Sequence, residues 1–231
     1  MEDKALTIEK KLGIIIENIE KAGRSPKDVT ILPVSKKKSV SEIREILNFG
    51  IDKIGENYVQ ELLPKFEELK DEVNEFHFIG HLQSNKVKYI IDKVSLIHSV
   101  DSLSLIKEID KQAKKHSKIQ DVLLEVNFNN EETKTGADLE ALKEMLFNAN
   151  LYKNVKIRGL MTMPPPYFSP DELQKTFSGF NELYMKEKEK DYGETVKFDT
   201  LSMGMSNDYP IAVKEGATII RIGTALFGQR I

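Results

Sequence analysis

The chain contains no cysteine. Disulfides, thiol nucleophiles and thiolate-bound metals are therefore outside its chemistry. No apolar run approaches the roughly 20 residues that a membrane-spanning helix needs. Met1-Glu2-Asp3-Lys4 brings acid in early and no contiguous apolar stretch follows, so no signal peptide is expected and the chain reads as cytoplasmic. An excess of one charge is missing as well. Lys and Arg number 34 against 37 Asp and Glu, a formal net charge of −3, which gives no electrostatic ground for nucleic-acid binding. There is no internal repeat and no linker-like segment. What is present is ordinary for a globular protein: 231 residues, 40% hydrophobic and 31% charged, enough for a sizeable core. One domain over residues 1–231 is expected.

Two kinds of segment alternate. Short runs rich in Ile and Val read as buried strands, and longer runs with apolar residues three and four apart read as amphipathic helices. The pattern predicts an N-terminal helix over Thr7 to Ala22, ended by Gly23 and Pro26. Strands follow at Val29 to Ser35, Lys53 to Glu56, Phe76 to Ile79, Val94 to Val100, Val122 to Asn127, Val155 to Met161, Thr200 to Ser202 with residues just before it, and Thr218 to Ile222. Each is followed by a helical stretch or a short helix; Ser39 is a plausible N-cap of the first. Strands that alternate with helices imply a parallel sheet, because each return needs a crossover. Eight such units fit an α/β fold of the (β/α)8 barrel type with an additional N-terminal helix. An open doubly wound sheet is the rival, but the glycine-rich turn after the first strand that marks it is absent.

In a barrel the chemistry collects where strands end. Thr30-Ile31-Leu32-Pro33-Val34-Ser35-Lys36 is an apolar run that stops on an amine. Lys36-Lys37-Lys38 is either a basic turn in solvent or, with Lys36 partly desolvated, a nucleophile for a carbonyl. Asn57 follows the second strand. Ser202-Met203-Gly204-Met205-Ser206 and Gly223-Thr224 follow the seventh and eighth. Barrels often bind phosphate there, and Ser202, Ser206 and Thr224 offer hydroxyls while Gly204 and Gly223 would admit backbone N–H groups. Arg221 stands among Ile219, Ile220 and Ile222, where it either pairs with a carboxylate or points into a site. An amine, a phosphate cradle and a fixed cation together describe a place for pyridoxal 5′-phosphate.

The same residues carry a family resemblance. Val34-Ser35-Lys36, Gly55-Glu56-Asn57-Tyr58-Val59-Gln60-Glu61, His77-Phe78-Ile79-Gly80, Leu82-Gln83 with Asn85-Lys86, Arg158-Gly159-Leu160-Met161, Leu201 to Ser206 and Arg221-Ile222-Gly223-Thr224-Ala225-Leu226-Phe227-Gly228 occur in the order found in the pyridoxal phosphate homeostasis proteins. The chain resembles that family along nearly its whole length. The resemblance implies a barrel similar to the N-terminal domain of alanine racemase, with Lys36 holding the cofactor as an internal aldimine. It implies phosphate contacts from Ser202, Gly204, Met205, Ser206, Gly223 and Thr224, Arg221 near the pyridine nitrogen, and Asn57 lining the site. Lys134 matches a lysine in a loop close to the cofactor. His81 receives no role, and His77 reads as a structural histidine.

The resemblance also implies the role: reversible pyridoxal phosphate binding in vitamin B6 and amino-acid homeostasis, delivery to apo-enzymes, and neither metal nor turnover. A racemase needs a second base, and the sequence closes soon after its last strand with no tyrosine marked for that part. Arg221 points the same way, because a guanidinium keeps its proton and leaves a facing pyridine nitrogen unprotonated, a weaker electron sink. Exchange asks for a second amine, for which Lys37, Lys38 and Lys134 are candidates. A racemase-like amino-acid enzyme is the alternative, and a barrel that takes another aldehyde or phosphate is a third. A monomer with no membrane partner is expected.

Overall fold

Eight strands run parallel in the order β1-β8-β7-β6-β5-β4-β3-β2, the ladder of a (β/α)8 barrel. The structure is a computed structural model that describes residues 6–129, 131 and 135–228. In chain order the elements are α1 (Ile8–Lys21), β1 (Thr30–Pro33), α2 (Val40–Leu47), β2 (Lys53–Glu56), α3 (Val59–Leu69), β3 (Glu75–Phe78), α4 (Val87–Ile90), β4 (Leu96–Val100) and α5 (Leu103–Lys115). They continue as β5 (Gln120–Glu125), α6 (Leu139–Phe147), β6 (Val155–Met161), α7 (Pro170–Lys188), β7 (Val196–Met205), α8 (Tyr209–Lys214), β8 (Ile219–Ile222) and α9 (Thr224–Phe227). The seam between β1 and β2 closes past Pro33, which has no N–H to give. There Ser35 N–H donates to the Gly55 carbonyl at 2.9 Å, while Val34 N–H reaches Ile222 O at 2.9 Å.

Strand alternation divides the core in two. Outward residues such as Phe76, Phe78, Ile97, Leu201, Ile220 and Ile222 pack against the helices. Inward residues Leu32, Leu96, Leu123, Met161 and Ile219 fill the barrel as a separate apolar layer. Two residues further along their strands stand polar groups: His98 after Leu96 and Arg221 after Ile219, both buried.

Helix starts match their chemistry. Ser39 and Glu42 form a capping box on α2, and Ser169 with Glu172 forms another on α7. The additional helix α1 packs against α8 and α9, where Asn18 Nδ2 donates to Tyr209 Oη at 2.7 Å and Lys11 Nζ to Leu226 O at 3.1 Å.

One strand corrects the sequence expectation. β7 is ten residues long and runs on past Ser202 to Met205, so that Met203 to Met205, which the pattern leaves to the following loop, belong to the strand. Between Ser202 and Met205 the strand advances three residues while β8 advances two, from Ile219 to Arg221. This is a bulge, with Gly204 at φ +90°, a conformation open to glycine.

Candidate functional site

Lys36, Asn57, Met205, Ser206, Arg221, Gly223 and Thr224 line a single cavity of about 430 Å³ at the C-terminal ends of the strands. That size lies within the range of about 300–1,000 Å³ usual for small-molecule sites. Ser202 and Gly204 do not line it. Ser202 is fully buried behind Arg221, whose Nη1 donates to its Oγ at 2.7 Å. A Cβ on Gly204 would lie 2.5 Å from Ala212 Cβ, so this glycine lets β7 pack against α8. Lys134 lies outside the described residues.

Lys36 is half-buried, and the turn that carries it is fixed from behind. Lys65 on α3, itself buried, donates to Ser35 O at 2.7 Å and pairs with Glu56 and with Glu61 Oε2 at 3.1 Å. Glu56 accepts from Ser35 Oγ at 2.6 Å and from Asn57 N–H at 3.1 Å. Glu61 accepts from Lys37 N–H at 2.6 Å, and Lys37 has φ +60°, unusual for a side-chain-bearing residue. Two carboxylates and one ammonium thus hold the residues on both sides of Lys36. Burial pushes the Glu61 carboxyl up, but the Lys37 amide and Lys65 outweigh it, and the group titrates below the usual range. Nothing in the sequence pattern singles out Lys65. The spacing Glu61-Lys65 on one helix face was the available signal.

Arg221 supplies the cation. It is buried, with Nη2 donating to the Thr162 carbonyl at 2.9 Å as well as Nη1 to Ser202. Burial pulls the guanidinium down to about 10, partly offset by Asp208 and Glu125, so it keeps its proton at neutral pH. The choice left open by the sequence resolves: Arg221 faces the cavity, and its hydrogen bonds go to a hydroxyl and a carbonyl.

The anion end differs in detail from the expectation. Ser206 Oγ accepts from Gly223 N–H at 3.1 Å and from Ala225 N–H at 3.2 Å, tying the seventh and eighth loops together. The Gly223 amide therefore points at Ser206, whose own hydroxyl proton is left to give elsewhere. A Cβ on Gly223 would meet only Val34 Cβ at 3.8 Å, so the protein leaves that side of the cradle open. Asp208 also lines the cavity and accepts from the Met205 amide; burial raises its pKa.

Asn57 sits where Gly80 lets its backbone come close, since a Cβ on Gly80 would lie 2.1 Å from Asn57 O. Its Oδ1 is buried and has no hydrogen-bond partner among the described residues. The opposite wall is apolar, with Met163, Pro165, Pro166 and Phe168 from the loop after β6 and Leu173 from α7. Pro164-Pro165-Pro166 reads from sequence as a loop, with no sign there that it covers a site.

Comparison with known proteins agrees with this geometry. The family model described as the alanine racemase N-terminal domain matches residues 11–231. The pyridoxal phosphate homeostasis protein of Aquifex aeolicus is 47% identical over 224 residues, covering 95% of this chain and 97% of the relative. That of Escherichia coli K12 is 36% identical over 220 residues, with 91% and 89% covered. Among solved structures, PipY of Synechococcus elongatus with PLP bound superposes with a TM-score of 0.84 at 33% identity, covering 96% of this chain and all of that one. An alanine racemase from Bartonella henselae shares the fold, with a TM-score of 0.71 at 13% identity, 96% of this chain and 60% of the racemase being covered. Near-complete coverage at these identities, together with the barrel and its lysine-bearing cavity, places the chain in the pyridoxal phosphate homeostasis protein family.

Proposed function

We propose that this chain binds pyridoxal 5′-phosphate covalently through Lys36 and serves as a carrier that keeps the cofactor's free aldehyde low and returns it to apo-enzymes. The observation that carries the proposal is the convergence of Lys36, Arg221, Asn57 and the Ser206–Thr224 cradle on one cavity, in a chain 33% identical to a protein whose structure holds PLP. The cofactor supplies an aldehyde for an amine and a pyridine ring that draws electrons.

The chain's residues answer that chemistry. The Glu56–Lys65–Glu61 cluster fixes the turn so that Lys36 meets the cavity without further ordering. Arg221 offers donors and no acceptor, and keeps its proton, so it does not protonate a ring nitrogen. This supports holding over turnover. Ser206 has a hydroxyl proton to give to an anion. Of the amines named for exchange, Lys38 lines a small cavity shared with Lys36, with Nζ 5.5 Å from the centre of the Phe227 ring and 3.0 Å from Glu42 Oε1.

The test is to load purified protein with pyridoxal phosphate, reduce it with borohydride, digest it and map the adduct by mass. The expected adduct is on Lys36. An adduct found only on other lysines would remove Lys36 from its role. Amino acids added to the loaded, unreduced protein should give no sustained product, and steady product would make the chain an enzyme.

A further inference from the structure

Four hydrogen bonds cross the barrel interior in series. Arg221 Nη1 lies 2.7 Å from Ser202 Oγ, Ser202 Oγ 3.0 Å from His98 Nδ1, His98 Nε2 3.0 Å from His77 Nδ1, and His77 Nε2 3.2 Å from Glu75 Oε2. The chain links β8, β7, β4 and β3. Since β4 and β7 are not neighbours in the sheet, the His98–Ser202 bond spans the lumen. Ser202, His98 and His77 are all buried, and Glu75 is the first residue of β3, at the other end of the barrel, paired with Lys53.

The two ends fix the direction. A guanidinium only donates and a carboxylate only accepts. Arg221 gives a proton to Ser202 Oγ, Glu75 takes the one on His77 Nε2, and with both imidazoles neutral the serine's own proton then goes to His98 Nδ1. That nitrogen must carry the lone pair, which puts the His98 proton on Nε2. His77 Nδ1 then accepts, and His77 gives its Nε2 proton to Glu75. Every donor in the series has an acceptor. In the reverse direction the buried Ser202 proton loses its imidazole, a costly loss.

We infer that His98 and His77 are positioning residues for Arg221: anchored on Glu75, they hold Ser202 as the acceptor that keeps the guanidinium at the cavity wall. The inference rests on the proposed binding of pyridoxal phosphate only for its consequence, since the tautomers belong to the protein alone. It also gives a reason for a serine in the β7 bulge, where it serves the cation and not the anion.

The test has two readouts. Long-range ¹H–¹⁵N spectra of ligand-free protein should show His77 and His98 as neutral Nε2–H tautomers. The chain has four histidines, and His81→Gln and His116→Gln, both at exposed positions, leave only these two signals. A protonated Nδ1 on His98 would overturn the inference. Ser202→Ala should shift the His98 nitrogens and weaken pyridoxal phosphate binding about tenfold, the scale of one lost hydrogen bond to a charge, and Ser202→Thr should restore both. Unchanged affinity in a folded Ser202→Ala protein would also overturn it. If wild type bound no pyridoxal phosphate while the tautomers were as expected, the functional proposal would fail and the network would stand.

Discussion

At the scale of single residues, Lys36 was legible because an apolar strand ending on an amine is an unusual pattern, and Arg221 because a cation among isoleucines is another. Lys65 was hidden. It lies on a helix rich in Glu and Lys, where solvated pairs are the rule, and only the fold shows that it points inward beneath the first strand. Its burial makes it costly to remove. Lys65→Met leaves the Glu56 carboxyl, 1% exposed, without its ammonium partner. We expect a loss of about 3 kcal/mol, read as a lower urea midpoint, and a slower reaction with pyridoxal phosphate because Ser35 and Lys37 are no longer held. Glu56→Gln combined with Lys65→Met should cost less than the two single changes added, the sign of a coupled pair. Additive losses would mean that the two groups act separately.

Among elements, the helices and most strands were readable from period and caps. The exception is β7, and its cause is local. Strand patterns are recognised by alternation, and a bulge breaks alternation, so the strand reads as ending at the polar Ser202 and Met203 to Met205 read as loop. Their consequences differ from those of loop residues. Ser202 faces the lumen and Gly204 the helix, while the extra residue turns Met205 and Ser206 to the cavity. Gly204→Ala would need a positive φ and place a methyl 2.5 Å from Ala212 Cβ. A loss of about 2 kcal/mol is expected from the backbone strain alone. Pyridoxal phosphate affinity should fall with it, because α8 and the Ser206 loop must move apart. A variant with wild-type melting and binding would show that the bulge is not under the constraint described.

For the whole molecule, sequence alone led to the barrel because eight alternating units leave few ways to close a parallel sheet, but the polar chain through its lumen could not be read from any local pattern. It is made by residues from four strands whose pairing is known only once the order is known. That chain ends on Glu75, and its charge couples the far end of the barrel to pH. The His77 hydrogen bond, and then Lys53, outweigh burial and hold the Glu75 carboxyl at about 2, below the ordinary 4.5. The native state thus binds the proton more weakly than the unfolded chain does. The sign follows: Glu75 contributes stability that is complete above about pH 4.5 and is lost as pH falls from there towards 2. Glu42, lowered chiefly by the Ser39 amide, and Glu72, lowered chiefly by Arg44, lose stability in the same direction. Buried Glu125 and Asp208, raised by desolvation, oppose them. Thermal melts of wild type and Glu75→Gln across that range should therefore converge. The variant melts lower at neutral pH, where it lacks the charged acceptor for His77, and loses less on acidification. Parallel curves would show that Glu75 keeps its ordinary pKa in the folded protein, and the lumen chain would then lack its charged anchor.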